Sequence, residues 1–141
     1  MRRHLPFALS LVLVIGGLAA AGIATAGAST TTIPRTSIKI VSGTACPASA
    51  SFCFKPANRT IAPGTKVIWK NMTIAPHTVT RCTALACSGV TGGTGTDTGF
   101  GSPGTIASGT KYHFVFHGAG TYVFYCQIHG YALMHGTITV T

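Results

Sequence analysis

After a long apolar start, the chain breaks into short alternations of apolar and polar residues, separated by glycine and proline. Ile38 and Ile40 alternate with Ser37 and Lys39, the two-residue period of a strand with one face on a core, and predict a strand over Ser37 to Val41. Ser51 to Lys55 predicts a second, stopped by Pro56. The Ala62-Pro63-Gly64 turn leads into Thr65 to Lys70, with Val67 and Trp69 on one face. Ala75-Pro76 turns the chain again before a strand expected over His77 to Thr80. Arg81 to Ser102 is rich in Gly, Thr and Cys without a helical period and reads as one long loop. Tyr112 to Phe116, Thr121 to Tyr125 and Gly136 to Val140 complete the series. Seven or so short strands at this spacing, with no repeat and no heptad, predict an all-β chain folded as a β-sandwich.

The start is an address rather than fold. Met1-Arg2-Arg3-His4 is basic, Leu5 to Ala24 is apolar apart from Ser10, and Ala24-Thr25-Ala26 offers small residues to a signal peptidase. Residues 1–26 are expected to be a signal peptide, with an uncleaved membrane anchor as the rival, since about 20 apolar residues span a bilayer. A flexible lead over 27–35 would then precede a domain over 36–141, outside the cytoplasm on either reading.

Charge narrows the chemistry. Asp97 is the sole acid among 141 residues, against 10 Lys and Arg, for a formal charge of +9. Paired-carboxylate glycosidases, Ser-His-Asp hydrolases and EF-hands need acids this chain lacks. The basic residues are scattered without a run, which argues against a nucleic-acid site. Five cysteines are an odd number for an exported chain. Of the three ways to pair the first four, Cys46–Cys53 with Cys82–Cys87 is the simplest, leaving Cys126 as a thiol in need of a role.

Cys126 opens Cys-Gln-Ile-His-Gly-Tyr-Ala-Leu-Met, so Cys126, His129 and Met134 fall within nine residues between two strands. A thiolate, an imidazole and a thioether select copper, and one more imidazole completes the His2Cys set with a weak axial Met. His77, after its Ala-Pro turn, is the candidate. By contrast His113, His117 and His135 read as surface or packing residues, and Trp69, Phe114, Phe116 and Phe124 as core. Asn58 and Asn71 begin glycosylation-like triplets, which are common in any sequence.

Three stretches together resemble the cupredoxins, and among them the plastocyanin-like branch: Ala62 to Asn71, Ala75-Pro76-His77-Thr78-Val79, and Gly120 to Val140. The resemblance spans about residues 36–141. It implies a Greek-key sandwich with one type I copper at one end, held by His77, Cys126, His129 and Met134. The family often has Asn where this chain has Thr78, a residue that ties the two ligand loops together, and the threonine hydroxyl is expected to do part of that work. The Cys82/Cys87 loop departs from the pattern as an insertion.

The implied function is one-electron transfer between redox partners. A copper store or delivery protein is the alternative, although such proteins favour Met-rich or multi-His tracts. Multicopper oxidases flank their copper Cys with histidines, whereas Tyr125 and Gln127 stand here and no His-x-His occurs. The expected partner is an acidic redox protein steered by the positive field onto an uncharged end face around His129 and Leu133. Tyr125 resembles the residue that offers plastocyanin-like proteins a second, longer electron route. The protein is expected to be a monomer, with membrane association only through its N-terminal segment.

Overall fold

The computed structural model describes residues 31–141, and the expected signal peptide lies outside the described residues. Eight strands follow in order: β1 Arg35–Ser42, β2 Phe52–Lys55, β3 Asn58–Ile61, β4 Thr65–Asn71, β5 Thr80–Arg81, β6 Lys111–Phe116, β7 Gly120–Tyr125 and β8 His135–Val140, with a short 3-10 turn over Gly43–Ala45. They form two four-stranded sheets, β2-β1-β4-β6 and β3-β8-β7-β5, the sandwich expected from the alternations. Each sheet is mixed, because β1 runs parallel to β4 and β3 parallel to β8. Among the described residues, no helix is long and apolar enough to cross a membrane.

The core lies between the sheets. Ile38, Ile40, Val67, Trp69, Phe116, Tyr122, Phe124 and Ile138 are fully buried, and Phe114 packs against their cluster. Trp69 is surrounded by the rings of Phe100, Tyr112, Phe116 and Phe124 at 5.5–6.3 Å. Such large rings at alternate positions make the two-residue period decisive for register.

Two elements differ from the pattern reading. β3 was not expected, because Asn58, Arg59 and Thr60 are all exposed and only Ile61 is buried. Its partner β8 recruits it through the backbone, without an apolar face of its own. His77 to Thr80 is not a continuous strand: His77 makes an isolated bridge to Ile106, and pairing with β7 begins only at Thr80. The backbone between is engaged elsewhere, the Thr78 N–H on Cys126 Sγ at 3.4 Å and the Val79 N–H on Ser102 Oγ at 3.0 Å.

The long loop is ordered by contacts rather than by secondary structure. Arg81 donates to the carbonyls of Gly92, Gly95 and Asp97 at 3.2, 2.7 and 3.1 Å, with its guanidinium 5.3 Å from the Tyr122 ring centre. Gly95 lies against that ring where a Cβ would collide. The Asp97 carboxylate accepts from the N–H groups of His117 and Gly118 at 2.8 and 2.9 Å, fastening the loop to the β6–β7 turn. Burial pushes its carboxyl up, but these two bonds, together with the Tyr122 hydroxyl and the charge of His117, outweigh that and hold it below the ordinary carboxylate value. Cys46–Cys53 and Cys82–Cys87 are disulfides, the simplest pairing of the first four cysteines.

Register also gathers the scattered cations. Lys39 stands opposite both Lys55 and Lys70, and Lys70 opposite Lys111, so one row of lysines crosses the whole first sheet.

Candidate metal centre

β7 ends at Tyr125 and β8 begins at His135, so the nine residues between carry the Cys-His-Met motif from one antiparallel strand to the next. The loop closes on itself. The N–H of Cys126 donates to the Met134 carbonyl at 2.9 Å, those of His129 and Gly130 to the Cys126 carbonyl at 3.3 and 2.9 Å, and that of Met134 to the Gly130 carbonyl at 3.1 Å. Gly130 supplies the positive φ of +80° that this reversal needs. Cys126 and Met134 are fully buried, while His129 keeps part of its surface.

The second contribution comes from the segment between β4 and β5. His77 is fully buried, with its Nδ1 3.8 Å from Cys126 Sγ, and His129 Nδ1 lies 3.3 Å from the same sulfur. The three donor atoms all lie within 4.8 Å of one another.

Which nitrogen of His77 is free follows from the hydrogen bonds behind it. Asn71, also fully buried, donates both amide hydrogens, to the carbonyls of Ala75 at 2.7 Å and Ile106 at 2.9 Å. Its Oδ1 accepts from the N–H and the hydroxyl of Thr73, each at 2.9 Å. The one hydrogen of the Thr73 hydroxyl has both Asn71 Oδ1 and, at 3.2 Å, the Ala75 carbonyl to bond to, which frees its oxygen to accept from His77 Nε2–H across 2.9 Å. This arrangement favours the Nε2–H tautomer, in which the Nδ1 lone pair faces Cys126. The same bonds exclude Asn71 as a glycan acceptor, since its amide nitrogen is enclosed and doubly used.

Thr78 joins the two segments. Its hydroxyl accepts from the Gln127 N–H at 2.8 Å, as expected of the residue standing in for the family's Asn, while its own N–H points at the Cys126 sulfur. Phe52 wedges against both imidazoles, with ring centres 5.0 Å from His77 and 4.8 Å from His129.

Burial, with a smaller contribution from the neighbouring His129 charge, lowers the His77 pKa to about 4, and burial alone lowers that of His129. Both rings are therefore neutral near pH 7, with lone pairs available. A thiolate, two imidazole Nδ1 atoms and a buried thioether, with the sole acid on a distant turn, form a soft donor set that fits copper.

Of the residues singled out in the sequence, His77, Cys126 and His129 converge, and Met134 is buried on the same loop. His113, His117 and His135 lie exposed and apart, His135 with its Nδ1–H on the Tyr131 carbonyl at 2.7 Å. Tyr125 is only 6% exposed, packed with the Cys82–Cys87 disulfide, Val90 and Tyr131, so it offers no open face to solvent. Phe52, Asn71 and Thr73 had not been recognised as parts of the site. Phe52 shares the inward phase of buried Phe54, the one local hint. Nothing local marks the other two.

Comparison with known families matches residues 42–141 to copper binding proteins of the plastocyanin/azurin family. The chain belongs to that family. Among solved structures, this cupredoxin is similar to a purple cupredoxin from Nitrosopumilus maritimus, at 27% identity and TM-score 0.57, covering 75% of this chain and 99% of that one. A reduced amicyanin variant aligns at 19% identity and TM-score 0.51, over 76% of this chain and 82% of the other. A copper-containing nitrite reductase from Thermus scotoductus SA-01 aligns at 21% identity and TM-score 0.54, over 77% of this chain but only 22% of the enzyme. The last two likenesses concern the fold alone. No curated protein matches the sequence. The cofactor of this cupredoxin is copper.

Proposed function

We propose that this cupredoxin is an extracytoplasmic one-electron carrier whose single type I copper is held by His77, Cys126, His129 and Met134. The observation that carries the reading is the convergence of two imidazole Nδ1 atoms on one buried thiol, within 4.8 Å. Copper bound there supplies one-electron chemistry between Cu(I) and Cu(II).

The chain's part is to hold the donors still. Thr73 fixes one ring, Phe52 wedges both, and Thr78 clamps the two segments together. Donors that cannot move favour neither oxidation state through rearrangement, which keeps the exchange of an electron fast. His129 is the one donor residue with surface exposure, flanked by Ile128 and Leu133, each about half exposed at 49% and 50%. Beside it a hollow of about 170 Å³ is lined by Ser49, Ser51, Phe52, His129 and Leu133. An uncharged, partly apolar end of this kind suits a brief contact with a redox partner, and the net positive charge favours an acidic one.

Metal delivery needs donors that an incoming chelator can reach, whereas both sulfur donors here are fully buried. Residues flanking Cys126 carry no imidazole that would lead to further copper, which supports a carrier over an oxidase. The two disulfides agree with export directed by residues 1–26, with the working domain over 36–141.

The test is the absorption spectrum of the copper-loaded protein. An intense visible thiolate band that vanishes in Cys126→Ser, with the sandwich still folded, is expected. A band surviving in that variant would sink the ligand assignment.

A further inference from the structure

The first sheet has an inner and an outer face, and most of the fixed positive charge among the described residues stands on the outer one. Buried Ile38, Ile40, Val67, Trp69 and Phe116 point inward at alternate positions, so the residues between them point out. Lys55, Lys39, Lys70 and Lys111 are successive cross-strand partners over β2, β1, β4 and β6, and all four are exposed. Strands about 4.8 Å apart make this a row of about 14 Å. Arg35 pairs with Lys66 four residues earlier on β1, in a second row about 13 Å away. Six of the eight Lys and Arg in residues 31–141 therefore share one face.

Such an arrangement opposes folding, because like charges directly opposite one another on a sheet repel. No acid relieves it, since the Asp97 carboxylate is committed to the β6–β7 turn. The charge is complementary to an anionic surface, and the shape of the face narrows which kind. It is a broad sheet surface whose charges lie toward both ends of the strands, not only at the copper end where a redox partner would need them. Its outward positions hold no Phe, Tyr or Trp on which bases could stack. Five of the six cations are lysines, flexible point charges that suit a fluid array of phosphates better than a fixed bidentate partner. Near its start the chain also carries an apolar segment, Leu5 to Ala24, expected from the sequence to direct it to a membrane whether or not it is cut.

We infer that this outer face docks on an anionic lipid bilayer, its six cations meeting headgroup phosphates. The strands then lie along the membrane plane, and the copper end, at the strand termini, faces sideways and stays open to a partner moving over the same surface. The inference does not depend on the copper reading, because the face contains no proposed ligand.

It is tested by partitioning the exported protein onto vesicles of phosphatidylcholine alone and of phosphatidylcholine with phosphatidylglycerol, at low salt. The ratio of the two partition coefficients cancels the apolar contribution of an uncleaved N-terminal segment, and comparison with the variants, which share Arg2 and Arg3, cancels its charge. The expected ratio is well above one and collapses at high salt. Each lysine neutralised should lower it about fivefold, so Lys39→Gln with Lys70→Gln lowers it roughly thirtyfold. Arg59→Gln, on β3 of the other sheet, removes the same charge as a single lysine change and should alter the ratio less than twofold. The double variant should also melt no lower than the parent, since it relieves repulsion. A ratio near one, a loss as large in Arg59→Gln as in Lys70→Gln, or retention on soluble polyglutamate without retention on vesicles would each overturn the proposal.

Discussion

At the Asp97 end of β7, nearly every polar group is spent. Arg81 satisfies three carbonyls, Asp97 takes two N–H groups, and the Tyr122 hydroxyl both accepts from the Asp97 N–H at 3.0 Å and donates to the Gly118 carbonyl at 2.7 Å. At the other end of the same strand fewer bonds reach across the chain, and on the metal-facing side the Thr78 N–H alone reaches a donor atom, the Cys126 sulfur. Asn71 and Thr73 hold His77 from behind and Thr78 joins the segments, while two imidazole Nδ1 atoms and the Cys126 sulfur face one another without a carboxylate or an amide side chain between them. Both ends are rigid. One is closed, the other is held open for a metal, and the difference lies in which atoms the hydrogen bonds leave over.

The comparison breaks most visibly at the sulfur. Cys126→Ser should abolish the thiolate band and weaken copper binding by orders of magnitude while the Asp97 end, and with it most of the melting temperature, is unaffected. Asp97→Ala should do the reverse, with a loss of about 2–3 kcal/mol in denaturant unfolding and an unshifted copper spectrum. Thr73→Val removes the acceptor of His77 Nε2–H without touching a donor atom, and copper affinity in a chelator competition should fall roughly tenfold or more. Met134→Leu should keep copper and colour but raise the reduction potential in voltammetry, because a weak donor to Cu(II) is gone.

The smallest effect separates the two ends by pH. His77 has its pKa lowered to about 4 by burial and by His129, so the unfolded chain takes up a proton on this residue first as pH falls below 6.5. Copper-free protein should therefore lose stability from pH 6.5 down to about 4. Asp97, held below the usual carboxylate value, keeps its contribution through most of that range and gives it up only in more acid solution. Melting temperatures of the copper-free protein and its His77→Gln variant check this, with a shallower slope expected in the variant.

How far the site was legible follows the same division. Cys126, His129 and Met134 stand on one short loop, and His77 follows an Ala-Pro turn, so spacing and donor chemistry were enough to find them. Thr73 and Asn71 act through bonds that reach Ile106 and the far side of the His77 ring, contacts no local pattern encodes. Phe52 touches His129 from 77 positions away, through the packing of β2 against the ligand loop. Strands with two or more apolar residues at alternate positions were readable, β2 and β6 included, whereas β3, with Ile61 alone, was not. Lys39, Lys55, Lys70 and Lys111 look scattered in the sequence because only register, parallel for β1 with β4 and antiparallel for the other pairs, aligns them.

The order of the cysteines has a consequence for how the protein is made. If the chain is exported as proposed, N-terminus first, it presents Cys46 and Cys53, then Cys82 and Cys87, each pair separated by only a few residues. Each can be oxidised as a neighbouring couple before the next thiol arrives. Cys126 appears last, when no reduced cysteine of the same chain remains to capture it, and the closing of β7 on β8 then buries it. On that route, biosynthetic timing would protect the one free thiol among the described residues, the proposed copper ligand.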